Sequence, residues 1–145
     1  MYLGNNQIHN SHSIDILGVT FTSNINFNQH VDNRITKCRN SSFSLSDVGM
    51  CYLGVMSDTK SYLFRAICQP TILYSLDAVD LNNNMIKKLE NEQGGIMKGV
   101  CGIPKRSHHT QLLQVLNRSS VNNMLIKSYM ASGKTIPGTI QVIDS

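Results

Sequence analysis

Long hydrophobic runs and clustered cysteines are both missing from this sequence. Nowhere do eighteen apolar residues follow one another, and residues 1–6 show no basic stretch leading into an apolar one. We therefore expect neither a membrane-spanning helix nor an export signal, and we expect a cytoplasmic or nuclear location. The cysteines form no C-x-x-C pair, which disfavours a zinc cluster or a redox motif. We expect them to be reduced and mostly buried; they are Cys38, Cys51, Cys68 and Cys101.

Charges are few, and they are biased towards the positive. Charged residues are 15% of the 145-residue chain and apolar residues 41%, a balance typical of one globular domain. Thirteen Lys and Arg against nine Asp and Glu give a formal charge of +4. This excess is compatible with a phosphate-bearing partner, although many basic proteins without such a partner carry as much.

The pattern of apolar residues changes period near residue 26. Before it, short apolar groups rich in β-branched residues alternate with turn formers, and the stretch Ile14–Phe21 predicts a strand or hairpin. After it, the spacing predicts a long helix, with Asn24 or Asn26 capping its start and Gly49 closing it. The predicted buried face of this helix is Phe27, Val31, Ile35, Cys38 and Leu45.

Further helices follow. Ser57 is the predicted cap of a second helix that Pro70 kinks or restarts, and its predicted apolar face is Tyr62, Leu63, Ala66 and Ile67. Asparagines 82–84 cap the clearest helix, which ends at Gly102 and Pro104. Its predicted buried face is Ile86, Leu89, Ile96, Met97 and Val100, and Lys88 and Glu92 stand at i, i+4. Shorter helices are predicted to open at Ser107 and at Ser119 or Ser120.

These patterns predict a mostly α fold, a helical bundle with a small N-terminal β-hairpin element. The expected organisation is a β element over residues 1–25, a helical domain over 26–132 and an unstructured tail over 133–145.

Three stretches, in the same order, resemble the region after the palm of non-LTR (LINE-type) retrotransposon reverse transcriptases. Residues 16–19, Ile-Leu-Gly-Val, resemble a "YLGV" strand that leads through a polar linker into a long helix. Residues 62–74 resemble the family's "P-x-L-x-Y" helix, and residues 88–103 the helix after it. The resemblance covers roughly residues 14–130, with Ile16 in place of a tyrosine and Ser75 in place of a glycine.

The resemblance implies a thumb and connection region that continues from a missing palm and helps to hold an RNA–DNA template-primer. Two-metal phosphoryl transfer needs clustered carboxylates, yet the chain has no adjacent aspartate pair and no recognisable palm motif. We therefore expect a non-catalytic fragment of an RNA-directed DNA polymerase from a mobile element, with no metal or cofactor of its own. A hidden catalytic activity ranks last, because no nucleophile, base and orienting group converge in the sequence.

Two basic groups are the candidate nucleic-acid contacts. His30, Arg34 and Lys37 recur at helical spacing beside the apolar face of the first long helix, where they would follow a phosphate backbone. Lys105 and Arg106 lie in a loop that enters a helix, where cations and backbone N–H groups would meet a phosphate together. The alternatives are a solvated helix flank for the first group and an ordinary polar loop for the second.

A second class of function remains open: a non-enzymatic helical interaction module. An apolar surface that once packed on the missing palm would drive self-association or binding to a protein partner.

Overall fold

The computed structural model describes residues 2–3, 6–7, 9–24, 26–49, 54–108, 114 and 119–133. Within them, two small antiparallel hairpins precede a set of packed helices, so the predicted mostly α fold with an N-terminal β element is confirmed. The strands are β1 (Tyr2–Leu3), β2 (Asn6–Gln7), β3 (Ser13–Ile16) and β4 (Val19–Thr22). The α-helices are α1 (Asn28–Asp47), α2 (Ser57–Leu63), α3 (Gln69–Leu73), α4 (Asn83–Cys101) and α5 (Val121–Ala131).

Strands β3 and β4 form a tight hairpin on top of α1. Leu17 and Gly18 make its two-residue turn, and both have positive φ angles, +49° and +79°. Two successive residues of this kind match the right-handed twist of the paired strands. Strand β3 is exposed along its length, whereas Val19 and Thr20 of β4 are buried against the helices. Strand β4 therefore makes the buried contacts that attach the hairpin to the helices.

Helix α1 buries the face that its spacing predicts. Val31, Ile35 and Cys38 are buried, and Phe27 and Leu45 pack against the same core. The cap residue is Phe27, which makes no side-chain cap hydrogen bond, and not Asn24 or Asn26 as predicted; Asn26, one position earlier, still accepts a hydrogen bond from the N–H of Asn28 at 2.9 Å. Beyond the last turn Gly49 has a φ of +99° and closes the helix, as predicted.

The segment from α2 to α3 departs from the prediction in two respects. Ser57 is the first helical residue and not the cap, because Met56 occupies that position without a side-chain hydrogen bond. The predicted apolar face is wrong, since Tyr62 and Ile67 are 65% and 39% exposed. The buried face is instead Ser61, Phe64, Cys68 and Ile72. Phe64 can be buried without a hydrogen-bonding partner, whereas the hydroxyl of a buried tyrosine needs one.

Pro70 lies where the helix changes type. Residues Phe64–Cys68 form a π-helical turn, and α3 follows it directly with Pro70 in its first turn. Cys68 and Gln69 keep right-handed helical backbone angles, so the helix is distorted next to the proline but does not begin anew. Tyr74 follows α3 at the surface, and Ser75 after it has a left-handed backbone with a φ of +63°.

Helix α4 lies at the centre of the core. The Asn82 side chain accepts from the N–H of Met85 at 2.8 Å, and Gly102, with a φ of +69°, ends the helix, both as predicted. All five residues of its predicted face are buried: Ile86, Leu89, Ile96, Met97 and Val100. Lys88 and Glu92 do not pair with each other; they form ion pairs with Asp32 and Arg39 of α1. These pairs tie α4 to α1.

Helix α5 packs against α4. The Ser120 side chain accepts from the N–H of Asn123 at 3.3 Å and caps the helix, as one of the two predicted serines. Most of the helix predicted to open at Ser107, and the predicted tail beyond Gly133, lie outside the described residues. Within the described part of the chain, no helix combines the length and hydrophobicity needed to cross a membrane.

Candidate nucleic-acid interface

Arg34 is a buried cation at the meeting point of α1, the β3–β4 hairpin and the end of α3. The residue is 5% exposed. One terminal nitrogen donates a hydrogen bond to the carbonyl oxygen of Gly18 at 3.0 Å, and the guanidinium lies over the Tyr74 ring, 5.0 Å from its centroid. Its Nε has no hydrogen-bond partner, and no described carboxylate forms an ion pair with it. Among the described residues, a carbonyl dipole and an aromatic face are the contacts that stabilise this charge.

A groove of about 380 Å³ opens beside Arg34. Exposed Lys37 stands on one wall and the α3 segment on the other. The Tyr74 hydroxyl donates to the carbonyl oxygen of Leu17 at 3.2 Å, so the hairpin turn closes one end. The full lining is Gly18, Arg34, Lys37, Pro70, Thr71 and Tyr74. We call it the Arg34 groove; its described lining has two cations and no acidic residue.

Gly18 allows this closure. A Cβ at its position would lie 2.9 Å from Cε1 of Tyr74, and its φ of +79° disfavours any residue with a side chain. The hairpin turn and Tyr74 are the two sides of this contact. They are 57 residues apart in sequence and meet here in space.

His30 does not belong to an exposed basic stripe, so this part of the sequence interpretation is corrected. The residue is fully buried, and its Nδ1 accepts a hydrogen bond from the backbone N–H of Thr20 at 3.2 Å. Burial, and then the nearby charge of Arg34, lower the pKa of its imidazole. The neutral ring attaches strand β4 to α1 and has no surface to offer a phosphate. Of the three residues of the predicted stripe, Lys37 alone is exposed.

Lys105 and Arg106 are exposed in the turn that follows α4, and the structure places Lys105 on the other flank of α1. Lys105 lines a groove of about 750 Å³ between α1 and α4, and its carbonyl accepts from Lys98 Nζ at 3.1 Å. Arg39 and Glu92 form an ion pair in the wall of that groove. The two predicted basic groups therefore do not share one groove, and the groove of Lys105 contains its own carboxylate.

The cysteines have packing roles. Cys38 and Cys68 are free and fully buried, and Cys38 Sγ donates to the carbonyl oxygen of Cys68 at 3.3 Å. Hydrogen bonding with the Cys68 side chain, and then burial, raise the pKa of the Cys38 thiol, so it stays protonated and unreactive. Cys101 is half-buried, and Cys51 lies outside the described residues. The burial of Cys38 and Cys68 agrees with the prediction that the cysteines are mostly buried; their reduced state stays a prediction.

Asp77 and Asp80 lie near Tyr129, and burial together with these charges raises the pKa of its phenol. Over the described residues, no group of three His, Cys, Asp or Glu side chains could hold a metal ion. The arrangement that the structure does offer is a cationic groove suited to an anion.

Sequence reasoning missed the contribution of Tyr74 to the site. Its only signal was membership of the "P-x-L-x-Y" stretch, because nothing local links it to Arg34, 40 positions earlier in the sequence. Comparisons of the chain with protein-family models, curated proteins and solved structures found no match.

Proposed function

We propose that this chain is a non-catalytic, thumb-like element that binds the backbone of an RNA–DNA duplex, as part of a retrotransposon reverse transcriptase whose palm supplies the chemistry. The resemblance of residues 14–130 suggests the parent protein. The observation that supports binding is the Arg34 groove, where a buried guanidinium has no carboxylate partner among the described residues.

A buried charge is costly unless an opposite charge or several hydrogen bonds compensate it. Two other charged residues of α1 form ion pairs: Arg39 with Glu92, and Asp32 with Lys88. Arg34 instead faces a groove whose other cation, Lys37, is also without a described ion pair. A phosphate entering the groove would supply the missing negative charge and accept from the guanidinium. Such contacts carry no sequence information, so binding should be salt-dependent and sequence-tolerant.

The test is fluorescence anisotropy with a labelled RNA–DNA duplex at low salt. We expect the wild-type chain to bind and Lys37→Glu to lose most of that affinity; Lys37 is exposed, so this variant should fold. Lys87→Glu is the matched control, because it makes the same charge change on the exposed face of α4. Absence of wild-type binding, or equal losses in both variants, would refute the proposal.

Catalysis is tested separately. Nucleotide incorporation on a primed template by the purified chain alone would contradict its non-catalytic assignment, since that reaction needs a carboxylate-held metal pair.

A second candidate, an interaction module, is favoured by one observation. The outer face of the α2–α3 segment exposes Tyr62 and Ile67, two large apolar side chains that would normally be covered. Light scattering over a range of concentrations tests it: self-association that Tyr62→Ser with Ile67→Ser abolishes supports this candidate, and a monomer at all concentrations rejects self-association.

A further inference from the structure

A second basic cavity lies on the far side of Pro70 from the Arg34 groove. It has a volume of about 420 Å³ and separates the α2–α3 segment from α5. Arg65 comes from the π-helical turn and Lys127 from the middle of α5, and both are exposed. Gln69, Pro70, Leu73 and Met124 complete most of its lining. We call it the Arg65 cavity.

The Arg34 groove and the Arg65 cavity share Pro70 in their linings. The exposed proline ring is thus a ridge with two cations on either side: Arg34 and Lys37 on one, Arg65 and Lys127 on the other. None of the described residues lining either depression is acidic, and none of these four cations has a described ion pair. Cations that line neighbouring depressions without a described counter-charge favour a shared polyanionic partner.

The groove of Lys105 provides the contrast. It is larger, yet Arg39 and Glu92 neutralise each other in its wall, and Lys88 pairs with Asp32 on the same flank. The two described interhelical ion pairs both join α1 to α4. Lys98 and Lys105 in the lining of that groove also lack a described ion pair, so the Pro70 side is distinguished by the absence of a carboxylate from its described linings and not by a larger number of free cations.

We propose that the duplex backbone crosses the Pro70 ridge, so that one nucleic-acid strand is held by the Arg34 groove and the Arg65 cavity in succession. Arg65 and Lys127 are then phosphate contacts additional to Arg34 and Lys37. This proposal rests on the proposed function and deepens it. Between the cations, the lining contributes Pro70, which has no N–H, and the apolar side chains Leu73 and Met124. This part of the surface suits the sugars of the strand, and the cations on each side suit its phosphates.

The site is better suited to binding the phosphate backbone of a nucleic acid than to stacking on its bases. Stacking platforms for single strands present aromatic faces to successive bases. Tyr74 is the one aromatic residue in the described lining of the two depressions, and Arg34 already covers one of its faces. The partner that this chemistry recognises is therefore a duplex with a continuous phosphate backbone.

The experiment measures how duplex affinity depends on salt, comparing wild type with Arg65→Ala/Lys127→Ala. Each lost phosphate contact lowers the slope of log K against log salt by about 0.9, so we expect the double variant to be shallower than wild type by roughly 2. Lys87→Ala/Lys88→Ala is the control, because it removes two exposed cations of α4 that line neither depression. We expect its slope to equal that of wild type.

The possible results distinguish failure of the path across Pro70 from failure of the proposed function. A wild-type chain that binds, with a slope that Arg65→Ala/Lys127→Ala leaves unchanged, overturns the path across Pro70 and leaves the proposed function standing. Equal reductions in both double variants overturn the path as well, because net charge alone would then explain the effect. Failure of wild type to bind at low salt removes the proposed function, and this inference with it. Far-ultraviolet circular dichroism of each variant establishes that it is folded.

Discussion

Three glycine-to-alanine substitutions should affect stability in a graded way that reports how the hairpin docks. Gly18 combines a positive φ with a virtual Cβ only 2.9 Å from Tyr74 Cε1. Gly102 also has a positive φ, +69°, but no neighbouring atom lies within 4 Å of its virtual Cβ. Gly99 is within α4 and has the same open surroundings. Comparing the three substitutions therefore distinguishes the cost of backbone strain from the cost of a steric clash.

The magnitudes follow from the structure. Gly99→Ala should stabilise the fold by roughly 0.5 to 1 kcal/mol, because alanine is the better helix former. Gly102→Ala should cost about 1 to 2 kcal/mol, the penalty of a left-handed backbone for a residue with a Cβ. Gly18→Ala carries the same penalty, and displacing the Tyr74 ring adds roughly 1 to 3 kcal/mol. The total for Gly18→Ala is about 3 kcal/mol.

The assay is urea unfolding monitored by circular dichroism, with thermal melts as a second readout. For a chain of this size, about 3 kcal/mol corresponds to a fall in Tm of roughly 10 °C. If Gly18→Ala is no more destabilising than Gly102→Ala, then Tyr74 does not pack on the hairpin turn. The wall of the Arg34 groove would in that case be wrongly placed.

Three further predictions concern the core and the ion pairs. The pKa of His30 is lowered in the folded chain, so as the pH falls the unfolded chain takes up this proton before the folded chain does. The contribution of the neutral ring to the free energy of unfolding is therefore complete above pH 6.5 and decreases below it. Urea midpoints at pH 7.5 and 5 should show this fall, and His30→Gln, which keeps an acceptor without titrating, should reduce it. Leu89→Ala should cost about 2 to 5 kcal/mol in the same assay, because the side chain is fully buried and leaves a cavity; a loss below 1 kcal/mol would contradict its central position. A double-mutant cycle on Arg39 and Glu92 should give a coupling below about 1 kcal/mol, since the Arg39 side chain is 51% exposed; a much larger coupling would show that water is excluded from the pair.

Helix positions and most buried faces could be predicted from the sequence because they depend on local spacing. The faces of α1 and α4 each repeat apolar residues at helical intervals, and the caps at Asn82 and Gly102 act within one turn. The α2–α3 segment was harder, because it has two apolar faces. Only tertiary packing decides that Phe64 is buried while Tyr62 faces solvent.

The candidate site was less predictable, since it depends on long-range contacts. Helical spacing placed His30, Arg34 and Lys37 on one side of α1 but could not show that the β3–β4 hairpin covers the first two. Likewise, the pairing of Lys88 and Glu92 with α1 depends on how two distant helices pack. Arg65 and Lys127 carried no signal in the sequence, because their common cavity exists only once α5 packs beside the α2–α3 segment.

The most direct test of the central claim compares two duplexes of identical sequence in one binding assay at low salt. One has the natural phosphodiester backbone, and the other has an uncharged methylphosphonate backbone. If cations around Pro70 bind phosphate groups, the chain will bind the first duplex and show little or no affinity for the second. Equal affinity for both would contradict the account, because the partner would then be recognised without its charge.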